Sequence, residues 1–157
     1  MATLSDENKS KSALIREIAD LQRQVGELQS SARDREAAEA ALKKSEERYR
    51  SVFENTGTAT IIIEDDMTIS MVNAKFENLT GYSKAEIEGR MKWTDFVVAD
   101  DLERMKAYHV KRREDNRAAP TEYECRVFNR FGEVKDMFLR IDMIADSRAS
   151  VASFMDI

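Results

Sequence analysis

The chain has 157 residues, 42% of them hydrophobic and 35% charged, with a net charge of -5, a composition that suits one modest globular domain plus something polar and elongated. The acidic balance argues against a nucleic-acid or anionic-membrane footprint, and the single cysteine, Cys125, excludes an internal disulfide. No apolar run approaches the roughly 18 residues of a membrane span, and the polar stretch from Ser5 to Ser12 does not read as a signal peptide, so a soluble, cytoplasmic chain is expected.

Residues 1–9 are expected to be disordered. Beyond them, Leu14, Ile18, Leu21, Val25 and Leu28 recur at alternating spacings of four and three, which marks a coiled-coil seam. With Ile18 and Val25 at a, and Leu14, Leu21 and Leu28 at d, the side-chain choice favours a parallel two-stranded coil and hence a homodimer. Ala32 continues the seam, Arg35 and Glu39 interrupt it, and Leu42, Tyr49 and Phe53 resume it. The expected element is one helix over 10–54, with Tyr49, Val52 and Phe53 lying on the chain's own domain.

Glycine and proline punctuation begins at Gly57, so a domain over 55–157 is expected. The run Thr58 to Glu64 predicts a strand, Asp65-Asp66 a turn, and Ile69 to Asn73 a second strand. Asn73 can cap a short helix ended by Gly81, and Ser83 with Glu86 forms a capping box for a second one closed by Gly89. Helices this short do not stand alone in water, so they must close over a larger surface. Asp100 with Glu103 reads as the cap of a longer helix to about Glu114. Strands follow over Thr121 to Phe128, Val134 to Ala145 and Ser150 to Ile157, the first two joined through Asn129-Arg130-Phe131-Gly132. The order defines an α+β fold with an antiparallel sheet.

The blocks Tyr49 to Gly57, Val72-Asn73 with Phe76, and Leu79-Thr80-Gly81-Tyr82-Ser83 through Glu86-Ile87-Glu88-Gly89, with Gly132 in the hairpin, resemble a PAS domain of the bacterial sensory-box type. Asp156-Ile157 is similar to the start of the motif that closes many such domains, without its threonine, and no tryptophan follows the hairpin glycine. The resemblance implies a five-stranded antiparallel sheet with short helices on one face, preceded by an amphipathic helix. It also implies an input module of a signalling protein of the sensor histidine kinase or diguanylate cyclase type. The output domain is expected to lie outside this sequence.

Within that resemblance, Phe76, Tyr82, Trp93, Phe96, Met105, Tyr108 and His109 are the candidate ligand-binding residues, and they serve equally well as plain core. Tyr49, Phe53 and Asp156 are the candidate signal relay, with Asp156 paired to Arg126 or Arg140. His109 invites comparison with a haem ligand and Cys125 with a flavin-adduct cysteine, although Cys125 falls on a strand without the adduct's sequence setting. No cofactor, metal ligand set or catalytic pair is expected. Three functions remain open: a sensor of a small ligand or conformational signal, a purely structural dimerisation and spacing module, and a haem-based gas sensor.

Overall fold

The computed structural model describes residues 2–157, with side chains from residue 6 onward. It divides into two units, one reaching to Tyr49 and the other spanning Arg50–Ile157. The first is wholly helical. Helix α1 runs Ala2–Glu54, beginning where a disordered stretch over 1–9 is expected; no glycine or proline interrupts the chain there, so nothing stops helix propagation. Met1 lies outside the described residues.

In the second unit, strands β1 (Ala59–Ile63) and β2 (Ile69–Val72) form a hairpin, followed by α2 (Ala74–Thr80), α3 (Lys84–Ile87) and a 3-10 turn over Trp93–Phe96. Helix α4 (Ala99–Glu114) leads through a short 3-10 turn to β3 (Glu122–Phe128), β4 (Val134–Met143) and β5 (Ser150–Asp156). The five strands make one antiparallel sheet in the order β2-β1-β5-β4-β3. First and last strands thus lie side by side at its centre, and the helices arise from the one long crossing between β2 and β3.

Alternation along the strands decides which face the helices cover. Ile61, Ile63, Met137, Leu139, Ile141, Ala152 and Phe154 join Phe76, Ile87, Trp93, Phe96 and Met105 in the main core. The triple isoleucine of β1 is buried throughout because both faces are covered there: Ile62 packs with Phe53 and Ala149 in a smaller cluster on the opposite side. Val52, expected beside Phe53, is instead 64% exposed, since its place on the helix turns it away from that cluster.

The two short helices are held as their capping residues dictate. The Asn73 side chain accepts from the Phe76 amide, and Gly81 takes a left-handed φ of 77° while its amide donates to the Glu77 carbonyl. A Cβ at Gly81 would also press on the Arg130 side chain at 3.2 Å, where Arg130 donates to the Gly81 carbonyl and lies 4.7 Å from the Tyr82 ring centre. The Ser83–Glu86 capping box is formed in both directions. At α4 the expected cap is not the one used. The cap position falls two residues earlier, at Val98, with no side-chain cap, and Asp101 in the first turn is drawn toward β3. Its carboxylate accepts from the Arg126 backbone amide at 2.8 Å and from Nε and Nη2 at 3.2 and 3.1 Å. That fork, tight enough to hold the Asp101 carboxyl below its usual range, fastens the start of α4 to the sheet.

Candidate functional site

Between the sheet and the helices lies a cavity of about 20 Å³. Its wall is built from β1, β3, β4 and β5 on the sheet side and from α2, the 3-10 turn and α4 on the other. Of the residues singled out from the sequence, Phe76, Trp93, Phe96, Met105 and His109 line it. Phe76 meets Phe96 edge-on with ring centres 5.4 Å apart, and Phe154 closes the same cluster at 5.7 Å. Such contacts leave room for about one water molecule, so the aromatic set fills most of the space it was expected to enclose.

Tyr82 and Tyr108 lie off this cavity. Tyr82 packs outside Phe96 with centres 5.6 Å apart, beneath Arg130. Tyr108 faces Tyr123 at 5.0 Å, and Arg104 lies near both rings. Tyr82 lies in the connection between α2 and α3, and Tyr108 sits one position along α4 from the inward-facing His109, a distinction that periodicity resolves poorly.

His109 is 4% exposed, and its surroundings define its protonation state. One ring nitrogen, Nε2, lies 2.9 Å from the Asp65 carbonyl, which only accepts, so Nε2 carries the proton and donates. Arg113 Nη1 donates to Nδ1 at 3.0 Å, so the ring is the neutral tautomer. Burial lowers the pKa below the ordinary 6.5, and the Arg113 charge pushes in the same direction, while the Asp65 carbonyl and carboxylate pull it upward. In the unfolded chain the histidine binds its proton near 6.5, whereas the folded protein resists protonation to lower pH. Unfolding therefore takes up a proton between the two values. The contribution is fully present above about pH 6.5 and is lost as the pH falls toward the folded value. Urea unfolding of the unmodified chain should show stability declining as the pH drops below about 6.5, above the range where carboxylates at about 4 contribute. His109→Gln should remove the slope; an unchanged slope would show that another group carries it.

The same geometry decides against haem, because iron ligation at Nε2 would break the bond to Asp65 and leave Nδ1 held by a cation. Cys125 does not suit a flavin adduct. It is 3% exposed on β3, does not line the central cavity, and burial pushes its thiol up to about 12.

Arg112 completes the lining of the cavity, and Asn73, a helix cap, ties neighbouring segments together. Arg112, 2% exposed on α4, lines the cavity; Nη2 donates to the Pro120 carbonyl at 2.6 Å and Nη1 to the Tyr108 carbonyl at 3.5 Å. Its signal was available: Met105, His109 and Arg112 follow at helical spacings of four and three on one face of α4. Asn73, fully buried, was identified as a cap, but its amide also donates to the carbonyls of Phe53 and Thr58.

The relay candidates are distributed along the chain. Phe53 is buried in the outer-face cluster, Tyr49 lies half exposed on α1, and Asp156 ends β5 opposite Met137 of β4. Asp156 makes no ion pair with Arg126 or Arg140 among the described residues: Arg126 is engaged by Asp100 and Asp101, and Arg140 approaches Glu122 at 3.8 Å. Cross-strand register explains this, since Arg140 stands directly opposite Glu122 on β3. The end of α1 is tied down by Glu54, which accepts from the Ala74 amide and from Lys84.

A five-stranded antiparallel sheet cupped by short helices around a small, mostly apolar cavity is the architecture of the PAS fold. The PAS fold family matches residues 69–155, and the chain belongs to that family. Among solved structures it is similar to the PAS domain of an HTR-like protein from Haloarcula marismortui, at 20% identity and a TM-score of 0.60, covering 78% of this chain and 99% of that one. A domain of the sensory box sensor histidine kinase/response regulator from Geobacter sulfurreducens matches at 19% identity and a TM-score of 0.61, covering 73% and 96%. The RpfR quorum-sensing receptor PAS domain from Cronobacter turicensis, in complex with C12:0, matches at 18% identity and a TM-score of 0.56, covering 64% and 93%. No curated protein matches the chain. Among the described residues, no helix is long and apolar enough to cross a membrane.

Proposed function

We propose that this chain is the sensory input module of a cytoplasmic signal-transduction protein of the sensor histidine kinase or diguanylate cyclase type. It binds a small apolar ligand in the central cavity and transmits the change through a parallel homodimeric coil to an output domain, without catalysis of its own. The observation that carries this reading is the cavity itself: mostly apolar, between the sheet and α4, and bordered by Arg112 and Trp93, whose buried donors Arg112 Nε and Trp93 Nε1 lack hydrogen-bond partners among the described residues. The C12:0 held by the similar RpfR domain supports an apolar ligand. Ligand entry would displace the wall, and β1 and β5 would carry the shift toward Phe53 at one end and Asp156 at the other. To act as a switch, the ligand must prefer one arrangement by about 1 to 3 kcal/mol.

The second reading is a dimerisation and spacing module without a ligand, and the observation favouring it is the cavity's volume of about 20 Å³. Native mass spectrometry of the purified chain separates the two. A dimer carrying a reproducible added mass supports the sensor, a bare dimer supports the spacer, and a monomer overturns both.

The dimer is proposed on the seam of α1, where Leu14, Ile18, Leu21 and Val25 are 50 to 54% exposed and Leu28 is 70% exposed in the single chain. Leu21→Lys should weaken association by about 3 to 5 kcal/mol, because two apolar d-position side chains are lost and two charges are placed in the seam. In sedimentation the unmodified chain should be dimeric and the variant monomeric at the same concentration; a monomeric unmodified chain would sink the coil.

A further inference from the structure

Arg112 is a buried cation without a counter-charge. No carboxylate forms an ion pair with it among the described residues, and Asp142, the acid that influences it, is exposed and hydrogen-bonded to Asn116 and to the Met143 amide. Its hydrogen-bond partners are neutral oxygens, the carbonyls of Pro120 and Tyr108. A guanidinium held this way retains a large desolvation cost that neutral acceptors do not offset. Its Nε–H has no acceptor, and neither does the indole N–H of Trp93, which is 5% exposed. Buried donors without acceptors are costly and rare, so two in one small cavity call for an explanation beyond packing.

Both residues line the cavity. What the pair lacks is a negative charge and acceptor oxygens, while most of the remaining wall, including Phe76, Phe96 and Met105, is apolar, with Thr80, His109 and Tyr123 as its other polar members. A water would supply acceptors without charge. A phosphate or sulfate would bring more oxygens than there are free donors and would press the surplus against phenyl rings. A carboxylate matches the count, with two acceptor-only oxygens and one negative charge. We infer that the cavity takes an organic carboxylate on an apolar body, its head group met by Arg112 and the Trp93 indole. The inference rests on reading the cavity as the sensor's pocket and adds the chemical class of its ligand. Since about 20 Å³ holds about one water molecule, head group and body both enter by displacing side chains; Met105, unbranched and flexible, is the readiest to move.

The test uses the full chain and two probe series: straight-chain carboxylates from acetate to dodecanoate, and the primary alcohols of the same lengths. Binding is followed by calorimetry, and the Trp93 indole proton is followed by NMR, where a single tryptophan makes its resonance unambiguous. At least one acid should bind at least about tenfold more tightly than its alcohol and move the indole resonance downfield. Arg112→Met should bring acid and alcohol to the same affinity. Should that variant fail to fold, Trp93→Phe, which keeps the aromatic wall, should weaken the acid by several-fold and leave the alcohol unchanged. Equal binding of acids and alcohols would overturn the carboxylate while leaving an apolar pocket in place. No binding by either series would overturn both the carboxylate and the pocket.

Discussion

Asn73→Ala should lower the unfolding free energy of the 50–157 unit by about 3 to 5 kcal/mol in urea, among the largest losses any single surface-preserving substitution could produce here. The residue is fully buried, and its side chain serves four segments at once. Oδ1 accepts from the Phe76 amide at 3.1 Å, starting α2, and from the Thr60 amide at 3.0 Å in β1. Nδ2 donates to the Phe53 carbonyl at the end of α1, to the Thr58 carbonyl at 2.8 Å and to the Thr56 hydroxyl at 3.3 Å. Alanine leaves two amides and two carbonyls without those partners, in a place closed to water. An ordinary helix cap is worth about 1 kcal/mol, so a loss of that size alone would mean that the other bonds contribute nothing. Asn73→Ser isolates the terms. A hydroxyl can cap Phe76 but has neither the reach nor the second donor for Phe53 and Thr58, so serine should recover about 1 kcal/mol and no more.

That residue also shows where the sequence is legible and where it stops being so. Asn73, Gly81, Ser83 and Glu86 declare the two short helices, because capping is local chemistry between residues three or four apart. Alternation in β3 and β4 declares the sheet face, with Met137, Leu139 and Ile141 buried as their spacing requires. The triad Ile61-Ile62-Ile63 declares a strand but not the reason all three are apolar, which depends on Phe53 arriving on the far face from another part of the chain. The same limit hid the role of Asp101. From its neighbours it is a residue of a helix start, and only the approach of β3, 25 residues later, gives it Arg126. The cavity was the least legible feature. Its lining comes from seven elements, and whether aromatic side chains enclose a space or fill it depends on contacts that no spacing encodes. A charged residue such as Arg112 reads as surface until its surroundings are assembled.

Arg113→Met should cost about 3 to 5 kcal/mol and, unlike Asn73→Ala, should do so in a pH-dependent way. The Arg113 side chain is 2% exposed. It donates to the carbonyls of Ile63 and Glu64 at the end of β1, to the Arg148 carbonyl, and to the Ser150 hydroxyl at the start of β5, so it fastens the end of α4 to the two central strands. Methionine fills much of the volume but satisfies none of these oxygens, which accounts for the size of the loss. The pH dependence comes from His109. In the unmodified chain burial, seconded by the Arg113 charge, keeps the imidazole pKa below 6.5, and Arg113 occupies Nδ1. Removing the arginine deletes the repelling charge and frees Nδ1 for a proton, while the upward pull of Asp65 remains. The pKa must therefore rise. Because His109 is the sole histidine, an NMR titration reads it directly, and the variant's midpoint should lie above that of the unmodified chain. The linked consequence has a definite sign: with a folded pKa closer to 6.5, the variant takes up less additional proton on unfolding, so acidification below about 6.5 should destabilise it less. The stability gap between the two proteins should narrow from about pH 7.5 to about pH 5.5. A gap that stays constant, together with an unmoved histidine titration, would mean that Arg113 acts on the sheet alone and that α4 reports nothing electrostatic to β1 and β5.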